Sequence, residues 1–364
     1  MEAAALLRSS RIISDSPIQD LDIVIVAGRP LVVCTDFSGQ QVFTWDPAED
    51  RWTAHQLENP YGPVEKTMTG GCLLEIGAAV IDGRVVVGGG GYEQPFAQWD
   101  LETGAVRTYI RADHGGLAKV STVELAGRPW FVCGDSSMPA TVRLWDAAQR
   151  DALIEDEEAR NEGYDPEDYL QIEHVAAPLE RFGHVDSISG LASGTFRGRS
   201  VVVSGGVDGQ VMMWDLDEKA PVVQFEPLDT IRGVGLVTVD GQVRVVAAEQ
   251  RCVTLGDPDT GTWDEPIEMS EDPEAEDDYE DDDEDEGIEC MTVGVVAGRP
   301  IAVTGSGDGT VCCWDLAGRR LLGEPFAGHD GEVFAVRITE LDGRAVALTA
   351  GRDSHIRVWH LDQR

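Results

Sequence analysis

Short apolar runs dense in β-branched residues, cut by Gly-Arg and Asp-Gly turns, follow one another along this chain, and no helical period interrupts them. Residues 291–323 show the unit. A first strand is predicted over 291–297, turned by Gly298-Arg299, and a second over 300–304, turned by Gly305-Ser306-Gly307-Asp308-Gly309. A third follows over 310–314 and a fourth over 320–323. The third run ends on a mark that recurs as Trp45-Asp46, Trp99-Asp100, Trp145-Asp146, Trp214-Asp215, Trp314-Asp315 and Trp359-His360. A glycine followed by Arg stands some 15 to 18 residues before each Trp, at Gly28, Gly83, Gly127, Gly198, Gly298 and Gly343. Units of this period cannot bury an apolar face alone and must stack on one another.

A seventh unit lacks its tryptophan. Gly241, in Val239-Asp240-Gly241-Gln242, is another hairpin glycine, and 15 residues later Gly256-Asp257-Pro258 matches Trp45-Asp46-Pro47. Gly256 therefore takes the Trp slot. Trp263-Asp264 falls seven residues further on, where other units carry Trp52, Val106 and Leu321, so Trp263 belongs to a following strand. The ends of the chain fit a ring. Only five residues follow Trp359, too few for a fourth strand, while some twenty residues including Arg11-Ile12-Ile13 precede the first strand, predicted at 22–27. The N-terminal segment is expected to supply the missing outer strand and so hide an edge.

These features resemble the WD-repeat family of seven-bladed β-propellers, over nearly the whole chain. The match is most specific in two units. Gly183-His184, Ser204, Asp208 and Trp214 fit the family's structural tetrad, as do Gly328-His329, Thr349, Asp353 and Trp359. In both, Asp precedes Trp by six and the hydroxyl precedes Asp by four. The sixth unit keeps Thr304, Asp308 and Trp314 but has acidic sequence at the histidine position, and Gly39, Glu93, Pro139 and Gln250 fill the Asp slot elsewhere. The resemblance implies an all-β fold, one seven-bladed propeller of four-stranded antiparallel blades spanning 1–364. It also implies a buried relay of hydroxyl, imidazole and carboxylate ending on the indole N–H.

Two acidic insertions break the rhythm, at roughly 155–173 and at 271–286 around Tyr279. Either 152–154 or 170–172 is the fourth strand of the third unit, and spacing from Trp145 favours the first. That choice puts the insertion on the connecting face between blades; the other puts it on the opposite face. The 13 carboxylates of the second insertion are a third of the net charge of −39, so the remaining surface is acidic too. Such a charge disfavours phosphate backbones, and direct nucleic-acid binding is not expected. It would steer the chain toward basic partners, with salt adaptation as the rival explanation. The N-terminus lacks a secretory pattern, no run approaches the apolar length of a membrane span, and seven cysteines without Cys-x-x-Cys read as free thiols in a reducing cytoplasm.

Catalytic motifs are wanting. The tetrad accounts for His184 and His329 beside Asp and Ser or Thr without a hydrolase triad, and Gly88 to Gly91 read as a wide hairpin with no following helix. A calcium-loop reading from Asp282 fails because Val293 occupies the position that needs a bidentate Glu. No cofactor or metal is implied. In the family, partners meet the inter-blade-loop face, whose channel rim would be Ser38, Tyr92, Met138, Val207, Glu249, Gly307 and Arg352. Tyr92, Arg352, Glu249 and Tyr279 are the candidate partner-binding residues. The expected function is a monomeric, non-catalytic scaffold for protein partners, basic ones among them. Its rivals are a small-molecule binder or enzyme using the channel, and an acidic chaperone or antagonist of a basic protein.

Overall fold

The computed structural model describes residues 6–39, 41–60, 73–91, 94–109, 116–136, 140, 142–148, 173–174, 184–218, 220–269 and 287–361. They form seven antiparallel sheets, and the first strand of each touches the first strands of its two neighbours around a closed ring. Blade four is the plainest, with strands Ile188–Phe196, Arg199–Gly206, Val211–Asp215 and Ala220–Gln224 in that order. Its first hairpin turns on Arg197 (φ 51°) and Gly198 (φ 77°), a type I′ turn whose two left-handed residues match the twist of the flanking strands. The same pair of positive φ angles recurs at the first hairpin of all seven blades, which is the physical basis of the repeated glycine.

Apolar surface is buried between blades rather than at the centre. Seven separate clusters occupy the seven interfaces; one joins Val32, Phe43 and Trp45 of blade one to Val346, Leu348 and Ile356 of blade seven. Trp45, Trp99, Trp145, Trp214, Trp314 and Trp359 are each buried. The ring closes as a composite. Leu6–Arg11 pairs with His355–His360 as the outer strand of blade seven, with Ser10 opposite Ile356. Ile12 and Ile13 lie past that strand, Ile12 buried against the seam and Ile13 exposed.

The register settles the degenerate unit. Gly256 pairs with Val245, four residues past its hairpin glycine, as Trp214 pairs with Val202 and Trp314 with Ala302. Trp263 stands opposite Gly256 on the fourth strand, as Trp52 stands opposite Trp45. The fourth strand described in blade three is Glu173–His174, paired to Leu144 and Arg143; the expected 152–154 and 170–172 both lie outside the described residues. A two-residue strand carries almost no pattern of its own, and a long insertion between partners defeats spacing. Most of the first insertion, 155–172, and the whole of the second, 271–286, lie outside the described residues.

Candidate functional site

In blade four, Trp214 Nε1–H donates to Ser204 Oγ (2.9 Å), Ser204 Oγ lies 2.8 Å from His184 Nε2, and His184 Nδ1 lies 3.1 Å from Asp208 Oδ1. A carboxylate only accepts, so Nδ1 carries the proton and Nε2 accepts from the serine hydroxyl. Asp208 also accepts the N–H groups of Val185 (2.7 Å) and Gln210 (3.0 Å), tying the inter-blade loop to the second turn. Burial pushes its carboxyl up, and these hydrogen bonds outweigh burial, so it is held below the ordinary carboxylate range.

Blade seven repeats the chain through Trp359, Thr349, His329 and Asp353, at 2.8, 2.7 and 3.1 Å. Arg357 adds a cation against Asp353 that blade four lacks, where Met212 stands at the same offset. Burial holds the His329 imidazole below its ordinary value, while Asp353 is held low by His329, the Asp330 N–H and Arg357 despite burial. In blade six Trp314 Nε1–H donates to Thr304 Oγ1 (2.9 Å), and Asp308 accepts from Thr310 in its own turn. With every polar group engaged, these relays hold loops in place and present no nucleophile to solvent.

Blade one meets the same need differently. Trp45 Nε1–H donates to Asp50 (2.9 Å), which also accepts from Ser10 Oγ (2.6 Å), and Trp52 Nε1–H donates to that Ser10 Oγ (2.9 Å). Ser10 belongs to the closing strand, so this network pins the N-terminal segment to blade one.

The rim residues divide. Glu249 is occupied within its own blade, accepting from the Asp229 N–H (3.1 Å), Cys252 and Thr254. Arg352 pairs with Glu332 at 3.0 Å, yet its side chain is 63% exposed. Tyr92 and Tyr279 lie outside the described residues. Beside Arg352 runs the segment that leaves the closing strand, held by Ile12 N–H to the Ser354 carbonyl (3.0 Å) and by Phe37 N–H to the Pro17 carbonyl (2.8 Å). Ile13 and Phe37, on that segment and on the next turn, are 58% and 59% exposed. An arginine and two large apolar side chains thus flank one loop on this face.

Beneath the ring of loops lies a cavity of about 320 Å³, lined by the first strands of all seven blades. It holds a cluster that sequence reasoning missed: Asp20, Asp22, Glu75 and Glu289 with Lys119, Arg232 and Arg337. Lys119 meets Glu75 at 2.9 Å, Arg337 meets Asp20 at 3.1 Å and Arg232 meets Glu289 at 3.4 Å. Asp20 and Asp22 accept the N–H groups of Ile76 (3.1 Å) and Ala78 (2.8 Å), stitching blade one to blade two. Burial raises the carboxyls of Asp22 and Glu75, with Arg337 and Lys119 respectively pulling the other way. The available signal was a charged residue in or next to the first strand of six of the seven blades, but no fixed spacing marks them as neighbours.

A closed ring of four-stranded blades, three of which carry the hydroxyl-to-indole bond, defines a seven-bladed β-propeller built from repeats. The family model for the WD domain, G-beta repeat, matches residues 177–215, 285–315 and 320–360, the segments of blades four, six and seven. The chain carries WD repeats in those three blades and folds as a seven-bladed β-propeller. No curated protein matches it. Among solved structures it is similar to the WD40 β-propeller domain of Doa1, at 13% identity and a TM-score of 0.65, covering 99% of this chain and 97% of that one. At that identity the likeness concerns the fold. Among the described residues no helix is long and apolar enough to cross a membrane.

Proposed function

We propose that this propeller is a non-catalytic scaffold that docks a protein partner on the inter-blade-loop face, over the junction of blades seven and one. The observation that carries this reading is the exposed group of Ile13, Phe37 and Arg352 around one loop of that face. Aromatic and arginine side chains are the usual anchors of protein interfaces. WD40 propellers generally bind proteins, and the net charge of −39 favours a partner with a basic surface. A cytoplasmic setting fits the six described cysteines, all free thiols.

Affinity capture from native lysate tests it, comparing the intact chain with Phe37→Ala/Arg352→Ala and with a deletion of 271–286, at low and high salt. Loss of a captured protein in the double variant supports the loop-face site. Loss only in the deletion, and only at low salt, moves the site to the acidic insertion and favours a chaperone or antagonist of a basic protein. The channel reading rests on one observation, the buried Glu75 Oε2 without a hydrogen-bond partner. Its neighbours are paired with one another across blades, which supports a structural role for the cluster.

A further inference from the structure

The Gly-Arg and Trp-Asp marks of the sequence are two halves of one ion pair. Arg84 meets Asp100 at 3.4 Å, Arg128 meets Asp146 at 3.1 Å and Arg199 meets Asp215 at 2.7 Å. In each, the arginine after the hairpin glycine reaches across to the carboxylate after the tryptophan. Blade five carries Gln242 in the arginine position. Blade seven is the reverse case: Arg344 is kept, but His360 stands opposite Val346 where Asp215 stands opposite Val201. In blade one, Asp46 lies 4.0 Å from Arg51, and Arg29 reaches Glu49 at 3.8 Å.

Arg344 and Arg29 converge with Arg8 of the closing strand in a groove of about 570 Å³ between blades seven and one, on the hairpin face opposite the inter-blade loops. Among the described residues neither Arg8 nor Arg344 makes an ion pair. Asp50 is influenced by the Arg8 charge, but its carboxylate is engaged by Ser10 and Trp45. Leu7, Pro30 and Leu341 give the groove an apolar wall, and Glu340 and Asp342 line it as well. Guanidinium groups present forked N–H donors that fit phosphate oxygens. The acidity of the rest of the chain is screened beyond roughly 8 Å at physiological salt, whereas contact with the arginines is not.

We infer that this seam groove binds a phosphate monoester of a small hydroxylated compound. Its phosphate sits among Arg8, Arg29 and Arg344, and its hydroxyls face Glu340 and Asp342. Titration calorimetry of the full chain with glycerol 3-phosphate and with inorganic phosphate, in chloride buffer, tests it. Both are expected to bind, the ester more tightly. Arg344→Gln removes one charge-assisted contact and should weaken both by about tenfold or more. His360→Asp restores opposite Arg344 the carboxylate that blade four has, and should weaken binding similarly while leaving the melting temperature at or above that of the natural chain. Arg84→Gln, whose guanidinium is already paired in blade two, should leave binding unchanged. Should His360→Asp fail to fold, Arg8→Gln takes its place. No binding of either probe by the natural chain, or equal affinity in Arg344→Gln, would overturn the inference.

Discussion

Blades four and five pack on each other through one shared apolar layer, yet they hold their third strands by different means. Blade four buries an indole and ties it through Ser204 and His184 to Asp208. Blade five has Gly256 in the same register, and the neighbouring space is taken by Trp263 from its own fourth strand and Phe225 from blade four, with ring centroids 4.6 Å apart. Trp263 Nε1–H then donates to the Glu226 carbonyl at 2.8 Å, so the substitute indole is satisfied across the blade boundary. Both blades keep the type I′ hairpin and the same strand order. Backbone turn and filled volume are thus common to the two, while the polar relay belongs to one.

The comparison can be broken at either end. Trp214→Ala should cost about 3–5 kcal/mol in chemical denaturation of the full chain, since it removes a buried indole and leaves the relay without its last donor. Trp263→Ala should cost about 3 kcal/mol, the lower end of that range, because this ring is only half-buried. A loss under about 1 kcal/mol would show that Trp263 does not replace the missing tryptophan. Gly256→Ala probes how tightly that space is filled. Its added methyl would meet Phe225 Cε1 at 2.6 Å and the Trp263 ring at 2.7 Å, so a loss of about 1–3 kcal/mol is expected, relieved when Trp263→Leu is combined with it. Asp353→Ala should destabilise blade seven by about 1–3 kcal/mol; an unchanged melting temperature would refute a stabilising role for that carboxylate.

The smallest effects are those of pH, and their signs differ between tetrad and channel. Asp208 and Asp353 are held below their unfolded values, so their contribution is present above about pH 4 and is lost as pH falls through the folded values. His329 is held neutral in the fold, so stability also declines as pH drops below about 6.5, where the unfolded imidazole takes up a proton. Glu75 runs the other way. Burial raises its carboxyl to about 7, so stability declines as pH rises from the unfolded value near 4.5 toward 7. Melting temperatures of Glu75→Gln across pH 4.5 to 7.5 should lack that decline; a profile parallel to the natural chain would show that the buried Glu75 does not titrate there.

Much of this architecture was legible because each repeat writes it again. The hairpin glycine, the Trp register and the two complete tetrads depend on residues within one unit or on the loop leading into it, so spacing alone could align them, Gly256 included. The closing of the ring by the N-terminal segment also followed from a count of strands, although the strand proved to be Leu6–Arg11 rather than one containing Ile12 and Ile13. Where pairing is short and distant, as for Glu173–His174, spacing did not find the strand.

What the chain determined by itself, then, is the local and the periodic: turn type, strand order, blade number and the residues of each relay. Tertiary structure decided which charges meet. Asp20, Glu75, Lys119, Arg232, Glu289 and Arg337 come from six different blades, and Arg8 and Arg344 of blade seven meet Arg29 of blade one although Arg344 stands at the far end of the chain from the other two. The hydrophobic period and the tetrad hydrogen bonds join residues of one repeat and its entry loop, at most 24 positions apart, whereas an electrostatic cluster depends on distance alone, and only closing the ring brings these groups within it.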